Sequence, residues 1–417
     1  MADSEKTESK SRDISLDILS LDGTSTSHVV LETNEDPSKP PRLIGISKKP
    51  QASQAHPQAG ADRETHIVLS IGSGHQLAAQ FHTDILEPIL KALHGDKEPA
   101  IQVHTTESET SILDLTNKLF FPQANLGKPL RIILASGDGG IVDLVNGLLA
   151  QPTGPSYTAP QVLLLPLGTA NALYHSINTG VNNTWGLNAL SSTTTKPLPL
   201  FTASFSPSAR LLVDEARKEE QLPTDPSTGH GILHGAVVCS WGMHASLVAD
   251  SDTTLYRKFG LDRFKMAAKE ALYPSSGAAP HAYKASVSVL HGETWTELPE
   301  QEHMYVLASL VSNLEQSFVI SPASKPLDGS LHLVRFGPMD GDAAMRIMGL
   351  AYQAGKHVED GEVGYEEVDG LRIEFRGKEE EGRWRRVCVD GKIVRVEGDG
   401  WVEVRKEKRR VVDVVVV

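Results

Sequence analysis

The sequence predicts an α/β protein, with a mostly parallel α/β domain first and an antiparallel β-sandwich domain after it. Three observations lead there. Between residues 65 and 190, apolar runs alternate with helical stretches in the order strand, helix, strand, helix. Four such repeats imply a mostly parallel sheet with helices on both faces. Glycine-bearing loops stand where three of the apolar runs hand over to helices. Beyond residue 190 the pattern changes to short β-prone runs with Gly and Pro between them, as antiparallel sheets require. A chain of 417 residues is also too long for one ordinary core. The expected division is a largely disordered extension over 1–64 with a hairpin, an α/β domain over 65–190, and a β-rich domain over 191–417.

Taken in order, the extension is rich in Ser, Thr, Lys, Asp and Pro. Its runs at 14–21 and 28–31 flank Asp22-Gly23 as the arms of a hairpin would. The first core strand is 67–71, followed by Gly72-Ser73-Gly74-His75 and a helix with Leu77, Phe81, Ile85, Ile89 and Leu93 on one stripe. A strand at 101–104 leads through Thr106-Glu107 to a helix over 111–120. The apolar run 130–134 leads into Ser136-Gly137-Asp138-Gly139-Gly140 and a helix over 141–149. The run 161–165 then opens into Gly168-Thr169-Ala170-Asn171 and another helix. In the second half, runs at 198–205, 210–214, 235–240, 283–290, 304–311 and 331–336 read as strands. A helix over 341–358 is expected to pack back on the first domain, and 411–417 reads as a last strand.

Composition excludes several classes of function. A formal net charge of −13 argues against nucleic acid as a main partner. The two cysteines, Cys239 and Cys388, stand in apolar runs without metal-site spacing and read as buried thiols in a reducing compartment. The N-terminal residues lack the apolar core of a secretory signal. No apolar run reaches the roughly 18–20 residues of a membrane helix. A cytoplasmic protein with at most peripheral membrane contact is expected, and its oligomeric state is not legible.

The strand-to-helix loops carry the chemistry. Glycine permits left-handed backbone and close approach of a ligand. A helix N-terminus offers unpaired N–H groups and partial positive charge to phosphate. Asp138 stands at the carboxyl end of a strand, where open α/β sheets bind their ligands. A Ser-Gly-Asp-Gly run also suits a surface turn, but a second such loop, at 168–171, can face the same phosphate.

Ser136-Gly137-Asp138-Gly139, Val145-Asn146-Gly147-Leu148 and Leu165 to Leu173 together resemble the catalytic domain of the diacylglycerol kinase superfamily, and its sphingosine kinase branch most. The resemblance implies an ATP-dependent lipid kinase that uses Mg2+ and a lipid substrate. It implies Asp138 as the catalytic group, and Ser73, Gly74, Thr106, Ser136, Gly137, Gly139, Gly168, Thr169 and Asn171 around the nucleotide. The segment Trp241-Gly242, Asp250-Ser251-Asp252, Tyr256-Arg257 and Gly260-Leu261-Asp262-Arg263-Phe264 is similar to the sphingosine kinase block. It implies Arg257 and Arg263 as phosphate clamps, whose guanidinium forks suit phosphate oxygens, and Asp250 and Asp252 near the lipid head group. Asp390, in an Asp-Gly turn, matches a nucleotide-side aspartate, and Asp143 matches a glutamate that would help position metal. His244 reads as a core or rim histidine. The sequence departs from the family at Ser70-Ile71, Gly140, Ala170 and Lys392, the last standing where an acidic residue is usual. The implied reaction moves the γ-phosphoryl group to a primary hydroxyl of a sphingoid base. Diacylglycerol or ceramide as acceptor, a role related to NAD kinase, and a non-catalytic lipid- or nucleotide-binding regulator are the alternatives.

Overall fold

The computed structural model describes residues 12–20, 25–33, 39–50, 63–94 and 100–417. The first domain is built on a six-stranded sheet in the order Ile101–Thr105, Glu64–Leu69, Leu130–Ser136, Gln161–Pro166, Asp413–Val415, Thr195–Pro197. Adjacent strands are parallel except the last pair. Every residue of Leu130–Ser136 is buried, which is why this strand reads as a continuous apolar run rather than an alternating one. From Glu64–Leu69 the chain moves to one side, to Ile101–Thr105, and then to the other side, to Leu130–Ser136. That reversal is a topological switch point, and it places a crevice at the carboxyl ends of Glu64–Leu69 and Leu130–Ser136.

The helices over 78–94 and 111–125 each contain one wider turn, His82–Leu86 and Thr116–Phe120. Each lies just before an internal proline, Pro88 or Pro122. Proline lacks an N–H and its ring collides with the carbonyl four residues back, and the wider turn relieves both problems.

The described residues of the N-terminal extension form strands. Arg12–Leu19 and Ser25–Thr33 pair antiparallel as the expected hairpin, while its Asp22-Gly23 turn lies outside the described residues. A third strand, Arg42–Pro50, joins them. It carries too little apolar signal to be read from sequence, because Leu43 and Ile46 are only partly buried. Leu16, Ile18, Val29 and Leu31 cover Phe81, Ile85 and Ile89, so the sheet is held by the helix stripe beneath it.

The second domain packs an eight-stranded sheet against a six-stranded one, all pairs antiparallel. Trp241 is fully buried between them, edge-on to Phe375 and Tyr283. Cys239 and Cys388 are free buried thiols. The helix expected over 341–358 ends at Ala351 and is followed by a separate turn, Lys356–Glu359. Between them the chain turns left-handed at Ala354 and Gly355. This helix meets second-domain residues: Tyr273 donates to Asp342, and Tyr352 stacks edge-on to Phe318. The element that returns to the first domain is the last strand, Asp413–Val415. Among the described residues, no helix is long and apolar enough to cross a membrane.

Candidate active site

Three strand-to-helix loops converge at the switch point, so closely that their glycines touch backbone to backbone. A Cβ on Gly137 would lie 2.8 Å from Gly168 Cα, and one on Gly74 would lie 2.5 Å from the Leu167 carbonyl oxygen. Gly74 also has φ +53, a left-handed conformation that favours glycine. Side chains then fix the loops. Ser73 Oγ accepts the Gly137 N–H at 3.3 Å, and Thr106 Oγ1 accepts the Ile71 N–H at 3.2 Å. Asn171, itself left-handed at φ 54, accepts the Gly168 N–H at 2.9 Å and donates back to the Gly168 carbonyl at 3.1 Å. Two N–H groups that the sequence offers to phosphate, those of Gly137 and Gly168, are thus used inside the loop cluster. Gly139 is exposed, with open space where a Cβ would stand, and Thr169 and Ala170 are half-exposed beside it. Ser136 explains Gly140: a Cβ there would lie 2.5 Å from Ser136 Oγ.

Asp138 opens the helix Asp138–Leu149. Its two carboxylate oxygens accept the N–H groups of Ala172, at 2.8 Å, and Leu173, at 3.0 Å, at the start of the helix Ala172–Ile177. The carboxylate therefore caps one helix while belonging to another, and cannot swing away. The residue as a whole is half-buried. Burial of the carboxyl nevertheless raises its pKa, against the pull of these backbone donors.

The hairpin Arg386–Val389, Lys392–Arg395 of the second domain reaches across to this helix. Asp390 and Gly391 form its two-residue turn with φ 47 and 91, as a type I′ turn demands. The Asp390 carboxylate accepts the N–H groups of Ala236, Val237 and Val238 at 2.6–3.1 Å. Burial pushes its pKa up to about 7, with the charge of Asp138 adding to the effect. This saturated carboxylate anchors the hairpin rather than facing a ligand. One residue past the turn, Lys392 Nζ lies 2.7 Å from Asp143 Oδ1.

The opposite wall is made of arginine–carboxylate pairs. Asp250 is paired with Arg386 at 2.7 Å, and Asp252 with Arg263 at 3.2 Å. The side chain of Arg257 lies outside the described residues, although its backbone ends the short helix Thr254–Arg257. The wall meets the loops where a Cβ on Gly260 would approach His75 Cε1 to 3.1 Å. His244 is hydrogen-bonded to Ser240 at 2.7 Å, and burial pushes its pKa down to about 4, so it is a neutral rim histidine as expected.

Residues 65–203 match the diacylglycerol kinase catalytic domain family. The chain is similar to sphingosine kinase 1 of Mus musculus, 26% identical over 321 residues, which are 70% of this chain and 77% of the relative. Its similarity to the Homo sapiens protein is 23% over the same shares. Its fold is that of a Bacillus anthracis protein assigned as a diacylglycerol kinase, with TM-score 0.57 and 16% identity over 85% of this chain and 97% of that one. This is a lipid kinase of the diacylglycerol kinase catalytic-domain type.

Within such a lipid kinase, the described residues do not fit a metal held by the protein itself. Asp143, the expected metal carboxylate, is paired with Lys392, and Asp390 is saturated by backbone. Among the described residues no group of three or more His, Cys, Asp or Glu side chains could hold an ion. What the site offers is a fixed carboxylate with raised proton affinity at the mouth of the glycine loops.

Three residues gain roles that sequence reading does not give them. Asn146 donates to the His234 carbonyl at 2.8 Å and accepts the His234 N–H at 3.0 Å, so one amide joins the two domains. Ser176 does the same work at Asn313. Lys392 is legible as a departure, but its partner is five residues beyond Asp138 and 249 before it in the chain, and no local pattern reveals it.

Proposed function

We propose that this lipid kinase transfers the γ-phosphoryl group of ATP, supplied with Mg2+, to the primary hydroxyl of a sphingoid base. The observation that carries the reading is the Asp138 carboxylate, held by two N–H donors where three glycine loops meet. A carboxyl whose burial raises its proton affinity is suited to accept the proton of an attacking hydroxyl. The exposed surface at Gly139 and Thr169 leaves room for phosphates beside it. Arg263, from the second domain, would face charge on the transferred group. Similarity to the two sphingosine kinases across the second domain supports a sphingoid base. Leu255, Phe259 and Met266 are exposed near the exposed Lys258 and Lys265, which suits transient contact with an intracellular membrane from the cytoplasm.

A second acceptor class has an observation of its own. Asp250 and Asp252, the carboxylates expected to hold a sphingoid ammonium, are each paired with an arginine. A neutral head group, as in diacylglycerol or ceramide, would leave those pairs intact. Transfer of labelled phosphate to sphingosine, phytosphingosine, ceramide and diacylglycerol in turn separates the two. Product on a sphingoid base alone supports the first reading, and product on a neutral lipid alone replaces it. No product on any of them, with ATP bound, overturns both.

A further inference from the structure

We propose that the Lys392 ammonium is a built-in cation that fills the position at Asp143, so that no divalent ion binds the protein there. The geometry of the pair carries this. Nζ lies 2.7 Å from Asp143 Oδ1, with the carboxylate side chain 10% exposed and the lysine 29%. A sheltered carboxylate needs a counter-charge or a proton, and the ammonium supplies the counter-charge directly. The lysine is also held in register. It follows a two-residue turn whose Asp390 is bound by the N–H groups of Ala236, Val237 and Val238, two residues past the His234 that Asn146 of the helix Asp138–Leu149 holds.

The charges around the pair point the same way. The charge of Glu109 acts on Asp143, and that of Asp138 on Asp390. Of these groups, Asp143 is the one that Lys392 contacts. A divalent ion on Asp143 would have to displace the ammonium and strand it beside the ion. The inference deepens the kinase reading and rests on it for its place in the reaction: any magnesium in use would then be carried by the nucleotide rather than by Asp143.

The test uses Mn2+ as probe and the full chain without nucleotide, with bound ion read from the loss of the free-ion spin-resonance signal. Wild type and Asp143→Asn are expected to bind Mn2+ alike, because neither holds an ion at this position. Lys392→Glu places two carboxylates there and is expected to gain a site at least about tenfold tighter than wild type, in the range by which shell residues shift metal affinity. The double variant Lys392→Glu with Asp143→Asn should lose it. A wild-type site that Asp143→Asn removes would overturn the proposal, as would a folded Lys392→Glu that gains nothing. If Lys392→Glu does not fold, the wild-type and Asp143→Asn comparison still decides. Absence of transfer to every lipid would sink the kinase substrate reading yet leave these Mn2+ titrations readable, so the two failures are distinct.

Discussion

The two walls of the crevice are built on different principles. The α/β wall is fixed by backbone: glycines in mutual contact, Ser73 and Asn171 binding loop N–H groups, and Asp138 pinned by Ala172 and Leu173. The β-domain wall is fixed by side-chain ion pairs, Asp250 with Arg386 and Asp252 with Arg263, in which both aspartates are 40–46% exposed. Backbone contacts cannot rearrange without unfolding a loop, whereas ion pairs of partly exposed groups exchange partners at little cost. The lesson is that the α/β wall is rigid and the β-domain wall is adjustable.

The largest effect expected from breaking this contrast is at Asp138. Asp138→Asn keeps the shape but can accept only one of the Ala172 and Leu173 N–H groups, so we expect a stability loss of about 1–3 kcal/mol while phosphate transfer falls by about 10²–10⁴-fold, the usual worth of a positioned acid–base group. Next comes Gly168→Ala. Its Cβ would strike the Gly137 backbone, so we expect a loss of about 1–3 kcal/mol in urea unfolding together with weakened ATP binding.

The seam between the walls gives a pH prediction. His234 is 3% exposed, and burial pushes its pKa down to about 4. The unfolded chain takes up that proton near pH 6.5, so its contribution is fully present above that value and is lost as pH falls towards 4. Each pH unit in that window should remove about 1.4 kcal/mol, and His234→Gln should flatten the dependence of urea midpoints between pH 7 and 5. The smallest stability effect is expected at Arg263→Ala. With Asp252 40% exposed, the pair contributes at most about 1 kcal/mol to folding. The KM for ATP should nevertheless rise. A stability loss as large as that of Gly168→Ala would erase the distinction between the walls.

Much of the first domain is legible in the sequence because its signals are local. Continuous apolar runs mark parallel strands, and the loops at 72–75, 136–140 and 168–171 announce themselves by glycine. Asp138 is readable for the same reason. What sequence cannot supply is partnership across distance. The third strand at Arg42–Pro50 has little apolar pattern of its own and is held by pairing. The pairing of Lys392 with Asp143, and of Asn146 with His234, depends on how two domains dock. The Asp252–Arg263 pair joins two residues that the resemblance assigns to different ligands. Motif matching gives each residue a role singly, whereas electrostatics acts on them together.

The most direct test of the central claim is hydrogen–deuterium exchange of the full chain with and without ATP. The amides of Gly137 and Gly168 already have acceptors, so residues 136–140 and 167–171 should be protected before nucleotide is added and change little. Residues 250–265 should gain protection as the ion pairs re-form around phosphate. Fast exchange in the loops that slows only with ATP, beside an unchanged 250–265, would contradict the account.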